Sequence, residues 1–506
     1  MGKPGGISDW QENDIGGVDV LFPSALFILY FLPFALAVYW AFGFSRMAQN
    51  TCLLVLSLVF YAWGEPLFLL PMLFLIVVNH VLGLKLDGDH LPAYRKKIIR
   101  LAVILNIGTL LLTSYGGKAA MAVAARFGAD IPFLGELRAP LGVAFFSLQA
   151  LAYIFDIRRG KAPPERSIVN TGLFIAFFPT VVAGPILRFA DMAAQLRERN
   201  TTLASFGIGC ERFIIGLAKV TVLAAPLGQM AHSVFARSAN LVQFHNTPVV
   251  LAWLALLAYG IYVYMNLSGY SDMAIGVARM FGFTLRENFR HPYMAHTVTE
   301  FWNRWQLSVY RWFYVHVFLV LGGARARLVQ FRSALRPRNF VLRNLFVLWA
   351  LIGLWHGFSW NHLFFGLWFF LFALFEWLVS LRRRDTSHPL WHVYLLFVVA
   401  IALVFLRSAT FGESMRFFAN MFGVSGNGFL SDLAVALARE NWAALVLGIV
   451  FSTPIGHRVL KKLRDGENIG VGGTLRGIGY ILVLTGIFLV AVVYLTRAGT
   501  IYPAFY

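Results

Sequence analysis

Apolar runs close to the length of a membrane helix recur along this chain, and they settle the class of fold before any motif is read. A hydrocarbon core about 30 Å thick needs roughly 20 apolar residues to cross it as a helix. Candidate spans are 21–44, 51–63, 67–84, 98–115, 140–155, 170–187, 211–230, 248–268, 301–323, 340–358, 360–381, 390–407, 441–455 and 474–496. Lipid offers backbone N–H and C=O groups no partner, so the spans must be helices rather than open sheets. With 58% hydrophobic and 13% charged residues, the chain could not hide its apolar surface as a soluble protein. The predicted class is all-α, a polytopic integral membrane helical bundle of roughly 11 to 13 transmembrane helices with re-entrant segments. The first run, Leu21 to Phe44, is too long for a signal-peptide core and reads as a retained span.

Two runs are poor lipid-facing helices. Segment 170–187 carries Pro179, Gly184 and Pro185 and reads as re-entrant. Segment 301–323 contains Asn303, Arg304, Gln306, Arg311 and His316, so it should be buried in protein or line a cavity.

The net charge of +19 does not point to nucleic acid, because Lys and Arg cluster in short loops between spans. Arg46, the Lys85–Arg100 group, Arg158 to Arg166, Arg325 to Arg338, Arg382 to Arg384 and Arg458 to Arg464 can all face the cytoplasm. That requires both termini outside and incomplete crossing by 170–187 and 301–323. The basic stretch 324–339 reads as a topology signal; attraction to anionic lipid or an acidic cytosolic partner is the alternative. Cys52 and Cys210 imply neither a disulfide framework nor a metal site, and no histidine pair has zinc-ligand spacing. No Walker loop or dinucleotide turn is present, which argues against an ATP-driven pump.

Three polar constellations sit in or beside apolar runs. His356, in Gly353-Leu354-Trp355-His356-Gly357, is an ionisable group at membrane depth, where such groups usually have a function. An imidazole there can take a proton from a hydroxyl and return it; the alternative is a core histidine bonded to a neighbouring helix. Thr299 to Ser308 alternates polar and aromatic residues: helical spacing would bring Asn303 and Gln306 to nearly one face beside Trp302 and Trp305. Arg304 could hold a phosphate or carboxylate, or the segment could be a surface helix anchored by tryptophan. Tyr264 to Gly276 ends an apolar run with small and polar residues. It reads as a broken helix or tight packing site in which Asp272 caps the following segment.

These pieces occur in a characteristic order. Leu21-Phe22-Pro23-Ser24 is followed by Ser57 to Trp63, Pro140 to Phe146, Tyr153, Asp156, Arg159-Gly160 and Phe177 to Ile186. Ser268 to Gly276, Glu287-Asn288-Phe289, Glu300 to Trp305 and Leu354-Trp355-His356-Gly357 complete it. In that order the chain resembles the membrane-bound O-acyltransferase (MBOAT) family, and within it the bacterial alginate O-acetylation branch. The resemblance implies a helical bundle with a funnel on each face meeting at a deep histidine, here His356. It implies transfer of an acyl group, acetyl being the expected one, toward an extracytoplasmic glycan. The donor would be a cytosolic acyl-CoA or acyl-carrier-protein thioester, with no bound cofactor. An extracytoplasmic acyltransferase partner and a bacterial cytoplasmic (inner) membrane location follow from the same resemblance. The implied layout is a tail over 1–20, N-terminal spans over 21–139, a catalytic core over 140–381 and C-terminal spans over 382–506.

The chain departs from the branch where a second histidine is expected, in an Arg-Trp-His pattern. Here it reads Arg304-Trp305-Gln306-Leu307-Ser308, and an expected Arg-Asp-Tyr is replaced by Tyr314-Val315-His316. An amide can hydrogen-bond a substrate but cannot act as a general base. Either His356 suffices with Gln306 polarising a carbonyl, or His316 supplies the missing imidazole, or the chain is a transport or scaffold subunit. On the first reading His356 and Gln306 are catalytic, while Arg304, Asn303, Trp302, Trp305, Trp355, Ser308 and Asp272 contact substrate. The tail Thr500 to Tyr506 resembles the tyrosine-bearing end of envelope D-alanylation proteins, which would make Tyr506 an acyl carrier; aromatic anchoring at the interface is the alternative.

Overall fold

The computed structural model describes residues 21–88, 91–127, 140–321, 338–379, 388–464 and 471–498. Tyr506 and the rest of its tail, the first 20 residues, Arg325 to Arg336 and Arg382 to Arg384 lie outside the described residues. All regular structure among the described residues is helical. Nine helical segments among them are long and apolar enough to cross a membrane, and Phe27–Ala41, Leu307–Leu321 and Val341–Trp355 are shorter apolar helices. The chain is a polytopic all-α membrane protein.

The chain divides into two compact units. The first, 21–182 with 188–198, holds α1 (Leu32–Ala41), α2 (Arg46–Gly64), α3 (Leu69–Leu84), α4 (Pro92–Arg126), α5 (Val143–Arg158), α6 (Ile168–Ala176), α7 (Phe178–Val181) and α8 (Phe189–Arg197). Its apolar core includes a cluster in which Phe31, Phe60 and Phe178 lie with ring centroids 5.3 to 5.6 Å apart. Polar rungs join its helices: Asn79 and Asn106 exchange hydrogen bonds of 3.1 and 3.0 Å, and Asn50 donates to Asn170 at 2.8 Å. In an apolar surround such rungs are each worth about 1 kcal/mol and fix which helices pair. The run 170–187 is broken as its prolines demand: α6 stops at Ala176 and α7 lasts four residues.

The second unit, 183–187 with the chain from 199 onward, holds α9 (Leu203–Ala218), α10 (Ala225–Ala239), α11 (Val249–Met280), α12 (Val298–Trp302), α13 (Leu307–Phe313), α14 (Arg338–Trp355), α15 (Trp360–Leu378), α16 (Pro389–Arg407), α17 (Phe411–Met421), α18 (Asp432–Ser452), α19 (Pro454–Arg464) and α20 (Val471–Ala498). A π-turn over Lys219–Ala224 joins α9 to α10, and another over Tyr314–Phe318 extends α13.

Helix α11 corrects one expectation. It runs unbroken for 32 residues, and Asp272 lies in its interior rather than at a cap. The small residues serve close packing instead. A Cβ on Gly216 would meet the Gly269 carbonyl oxygen at 2.6 Å, and one on Gly209 would meet that of Gly276 at 2.7 Å. Backbones this near exclude any side chain at the four positions, as in small-residue membrane helix pairs.

Candidate active site

Helix α14 ends at Trp355, and the chain turns back into α15 within four residues. His356 N–H donates to the Gly353 carbonyl at 3.0 Å and Gly357 N–H to that of Leu354 at 3.1 Å, so the last turn tightens. Gly357 then adopts φ +149°, where an added Cβ would also lie 2.7 Å from His362 Nδ1. Ser359 caps α15, its Oγ accepting the His362 N–H at 3.2 Å and sharing a 2.8 Å bond with His362 Nδ1. The hairpin leaves the His356 imidazole half-buried, edge-on to Trp355 at 5.0 Å and to Phe365 at 5.2 Å.

Phe365 links that ring to the second constellation, its centroid 6.4 Å from that of Trp302. Trp302 is 2% exposed and packs edge-on against Trp349 and Phe369, each at 5.1 Å. Residues 299–308 do not form one helix, contrary to the helical spacing read from the sequence. Helix α12 ends at Trp302, Asn303 is its exposed C-cap, and Gln306 takes φ 39° and ψ 53° just before α13. Asn303 and Gln306 therefore do not share a helical face. The Asn303 amide bonds back to the Thr299 carbonyl at 2.7 Å, and Arg304 pairs with Glu300 at 2.5 Å. Trp305 is buried and stacks on Phe301 at 5.4 Å.

This turn is held from outside. Arg290 N–H donates to the Arg304 carbonyl and Leu307 N–H to the Asn288 carbonyl, both at 2.9 Å. Asn288 Oδ1 accepts from Ser308 N–H at 3.0 Å and Ser308 Oγ at 2.9 Å, so the Ser308 hydroxyl is engaged in structure. The buried Glu376 carboxylate of α15 accepts from Val298 N–H, from Thr299 N–H at 3.1 Å and from Thr299 Oγ1 at 3.0 Å, capping α12.

Asp272 lies in a third group. A cavity of about 600 Å³ is lined by Arg212, Lys219, Tyr264, Asp272, Glu287 and Asn288 among others. Lys219 reaches Asp272 at 2.6 Å, and Arg212 bridges Asp272 at 2.8 Å and Glu287 at 2.5 Å. The described lining residues include neither His356 nor Gln306. His316 lies on the π-turn after α13 with its ring 5.1 Å from Trp312.

Residues 162–412 match the membrane-bound O-acyltransferase family, a region holding the His356 hairpin, the Gln306 turn and the charged cavity wall of α11. The chain is 32% identical to the probable alginate O-acetylase AlgI of Pseudomonas putida over 82% of each chain. The chain belongs to the membrane-bound O-acyltransferase family. It is also 26% identical to the peptidoglycan O-acetyltransferase of Helicobacter pylori over 86% of each chain. Similarity to the teichoic acid D-alanyltransferase of Bacillus subtilis, 27% identity, covers 45% of this chain and 56% of that one. The protein is thus a multi-pass membrane O-acyltransferase.

Within this acyltransferase, the structure brings Trp302, Trp305, Arg304, Gln306 and Ser308 into one fixed turn. It places His356 and Trp355 on a hairpin joined to that turn through Phe365, and Asp272 in the cavity. Sequence reading passed over Asn288, Phe365 and Glu376 as site residues. Glu376 carried a usable signal: a lone carboxylate inside the aromatic run Leu371 to Trp377. Asn288 stood in the Glu287-Asn288-Phe289 piece of the family order, which gave it no role, and Phe365 carried no signal, since what each does depends on contacts far apart in sequence.

Proposed function

We propose that this protein moves an acetyl group from a cytosolic thioester, acyl-CoA or an acylated carrier protein, toward a polysaccharide outside the cytoplasmic membrane. His356 is the general base. It takes the proton of the acceptor hydroxyl as that oxygen attacks the thioester carbonyl carbon. Collapse of the tetrahedral intermediate breaks the C–S bond, and the imidazolium returns the proton to the departing thiolate. The Gln306 side-chain amide, on a residue only 4% exposed and not used to cap the helix that follows, donates to the carbonyl oxygen as it becomes an oxyanion. Trp302, Trp305 and Trp355 wall the acyl path, and Arg304, oriented by Glu300, faces the donor. Asp272 acts at one remove, holding Arg212 and Lys219 at the cavity.

The observation that carries this reading is the hairpin: an imidazole left half-buried at the end of an apolar helix, fixed by Gly357 and Ser359. Acetyl is favoured over D-alanyl because similarity to proteins named as O-acetylating spans most of the chain, whereas similarity to the D-alanyltransferase spans less than half. An acyltransferase partner outside the membrane completes delivery to the polymer. The deciding experiment replaces His356 with alanine in cells and measures base-released acetate from the envelope polysaccharide. Loss of the ester is expected, and unchanged acetate would remove His356 from the mechanism. Gln306→His tests the amide: a large gain in rate would show that the native turn limits catalysis.

A further inference from the structure

Helix α13 begins in an unusual way. An N-cap residue normally has extended backbone angles, and its side chain accepts an N–H of the first turn. Gln306 occupies that position with left-handed angles, φ 39° and ψ 53°, and makes no capping bond with its own side chain. Gln306 and His291 are the only non-glycine residues with positive φ among the described residues. Such conformations persist where surrounding contacts impose them, and they gather at functional sites.

The contacts that impose this one converge on Asn288, which is 2% exposed. Its carbonyl takes the Leu307 N–H at 2.9 Å, and its Oδ1 takes the Ser308 N–H at 3.0 Å and the Ser308 hydroxyl at 2.9 Å. The first N–H groups of a helix have no partners within it, and here a single distant asparagine satisfies two of them. Its Nδ2 donates to Ser271 Oγ on α11 at 3.1 Å, which ties the clamp to the longest buried helix of the unit.

We propose that Asn288 is the positioning residue for Gln306. It caps α13 from outside, so the Gln306 side chain is released from capping and its amide is held toward the reacting acyl group. The inference rests on the role given to Gln306 above. Ser271 is the anchor of the clamp, and Ser308 is its second contact rather than a substrate ligand.

The test uses full-length protein in inverted membrane vesicles supplied with radiolabelled acetyl-CoA, scoring base-labile ester per folded protein. Asn288→Ala should lower the maximal rate, by roughly 100-fold if the amide moves by about 1 Å, with KM for acetyl-CoA unchanged. Asn288→Asp keeps the accepting oxygen and should restore most of the rate. In a Gln306→Ala background, Asn288→Ala should cost nothing further, because the two act as a unit. Multiplicative losses, or a wild-type rate in Asn288→Ala, would overturn the inference. If Asn288→Ala does not insert, Ser271→Ala carries the same cycle.

Thermal unfolding supplies an arm that needs no turnover. Asn288→Ala should lower the midpoint more in the native chain than in Gln306→Gly, since glycine takes the left-handed conformation without a clamp. Equal losses would overturn the clamp even if no label moves. By contrast, full transfer by His356→Ala would count against the acyl-transfer reading and leave this coupling to be judged by unfolding.

Discussion

Gly353 and Gly366 meet backbone to backbone across the hairpin that carries His356: a Cβ on Gly353 would lie 3.2 Å from the Gly366 Cα and 2.3 Å from the His362 carbonyl oxygen. In an exposed helix, Gly→Ala is favourable by about 1 kcal/mol. Here the sign reverses. The clashing atoms are backbone, which cannot rotate away, and overpacking of this kind costs about 1–3 kcal/mol or more. Gly353→Ala should therefore lower the thermal midpoint and abolish most acyl transfer, as should Gly366→Ala, whose Cβ would lie 2.2 Å from the Trp349 carbonyl oxygen. Wild-type stability in either variant, measured in detergent, would show that the helices separate more easily than this contact implies.

Glu376 supports the other half of the site. Its carboxylate caps the helix that ends in Trp302, and it is 2% exposed. Removing a buried hydrogen-bonded charge of this kind costs about 1.5–3 kcal/mol. Glu376→Ala should lose that stability and displace Trp302 from its contact with Phe365. Glu376→Gln, which retains one accepting oxygen, should lose less. Tryptophan fluorescence checks the prediction: the Ala variant should show a shifted emission maximum and the Gln variant a spectrum nearer the native one.

The spans themselves were legible because a 20-residue apolar run has few other fates, and α3, α15 and α16 fall within a few residues of their expected limits. The break between α14 and α15 was legible too, since the apolar runs 340–358 and 360–381 were expected as separate spans, although α14 stops at Trp355, three residues early. What could not be read was where polar segments bend. Residues 299–308 have helical spacing, yet the chain leaves the helix at Trp302 because Asn288, far back in sequence, offers α13 a separate cap. Asp272 looks like a cap locally, and only the approach of Arg212 and Lys219 from α9 and the turn after it makes it the centre of an ion cluster.

That cluster sets a further expectation. Asp272 is shared by Lys219 and Arg212, while Arg212 also has Glu287, so loss of the carboxylate leaves Lys219 the more exposed to penalty. Asp272→Ala should cost up to about 3 kcal/mol, the lower end for breaking a buried pair because the side chains keep some solvent. Adding Lys219→Met should recover part of the loss by removing the stranded charge. A double-mutant cycle on thermal stability reads this directly, and additive losses would mean that the two side chains do not interact.

Gln306 separates stability from chemistry most cleanly. Its left-handed backbone costs a non-glycine residue about 1–2 kcal/mol, which Gln306→Gly removes together with the amide. The variant gives back some of this gain, because glycine is freer in the unfolded chain. The thermal midpoint of Gln306→Gly should thus equal or exceed that of the native protein. Acyl transfer should nevertheless fall by roughly 100-fold, the scale of losing one oxyanion donor. Gln306→Asn keeps an amide and tolerates the conformation, so it should retain more activity than Gln306→Gly with similar stability. If Gln306→Gly transfers acetyl at the native rate, the strained turn serves only packing, and the proton chemistry at His356 proceeds without help from this amide.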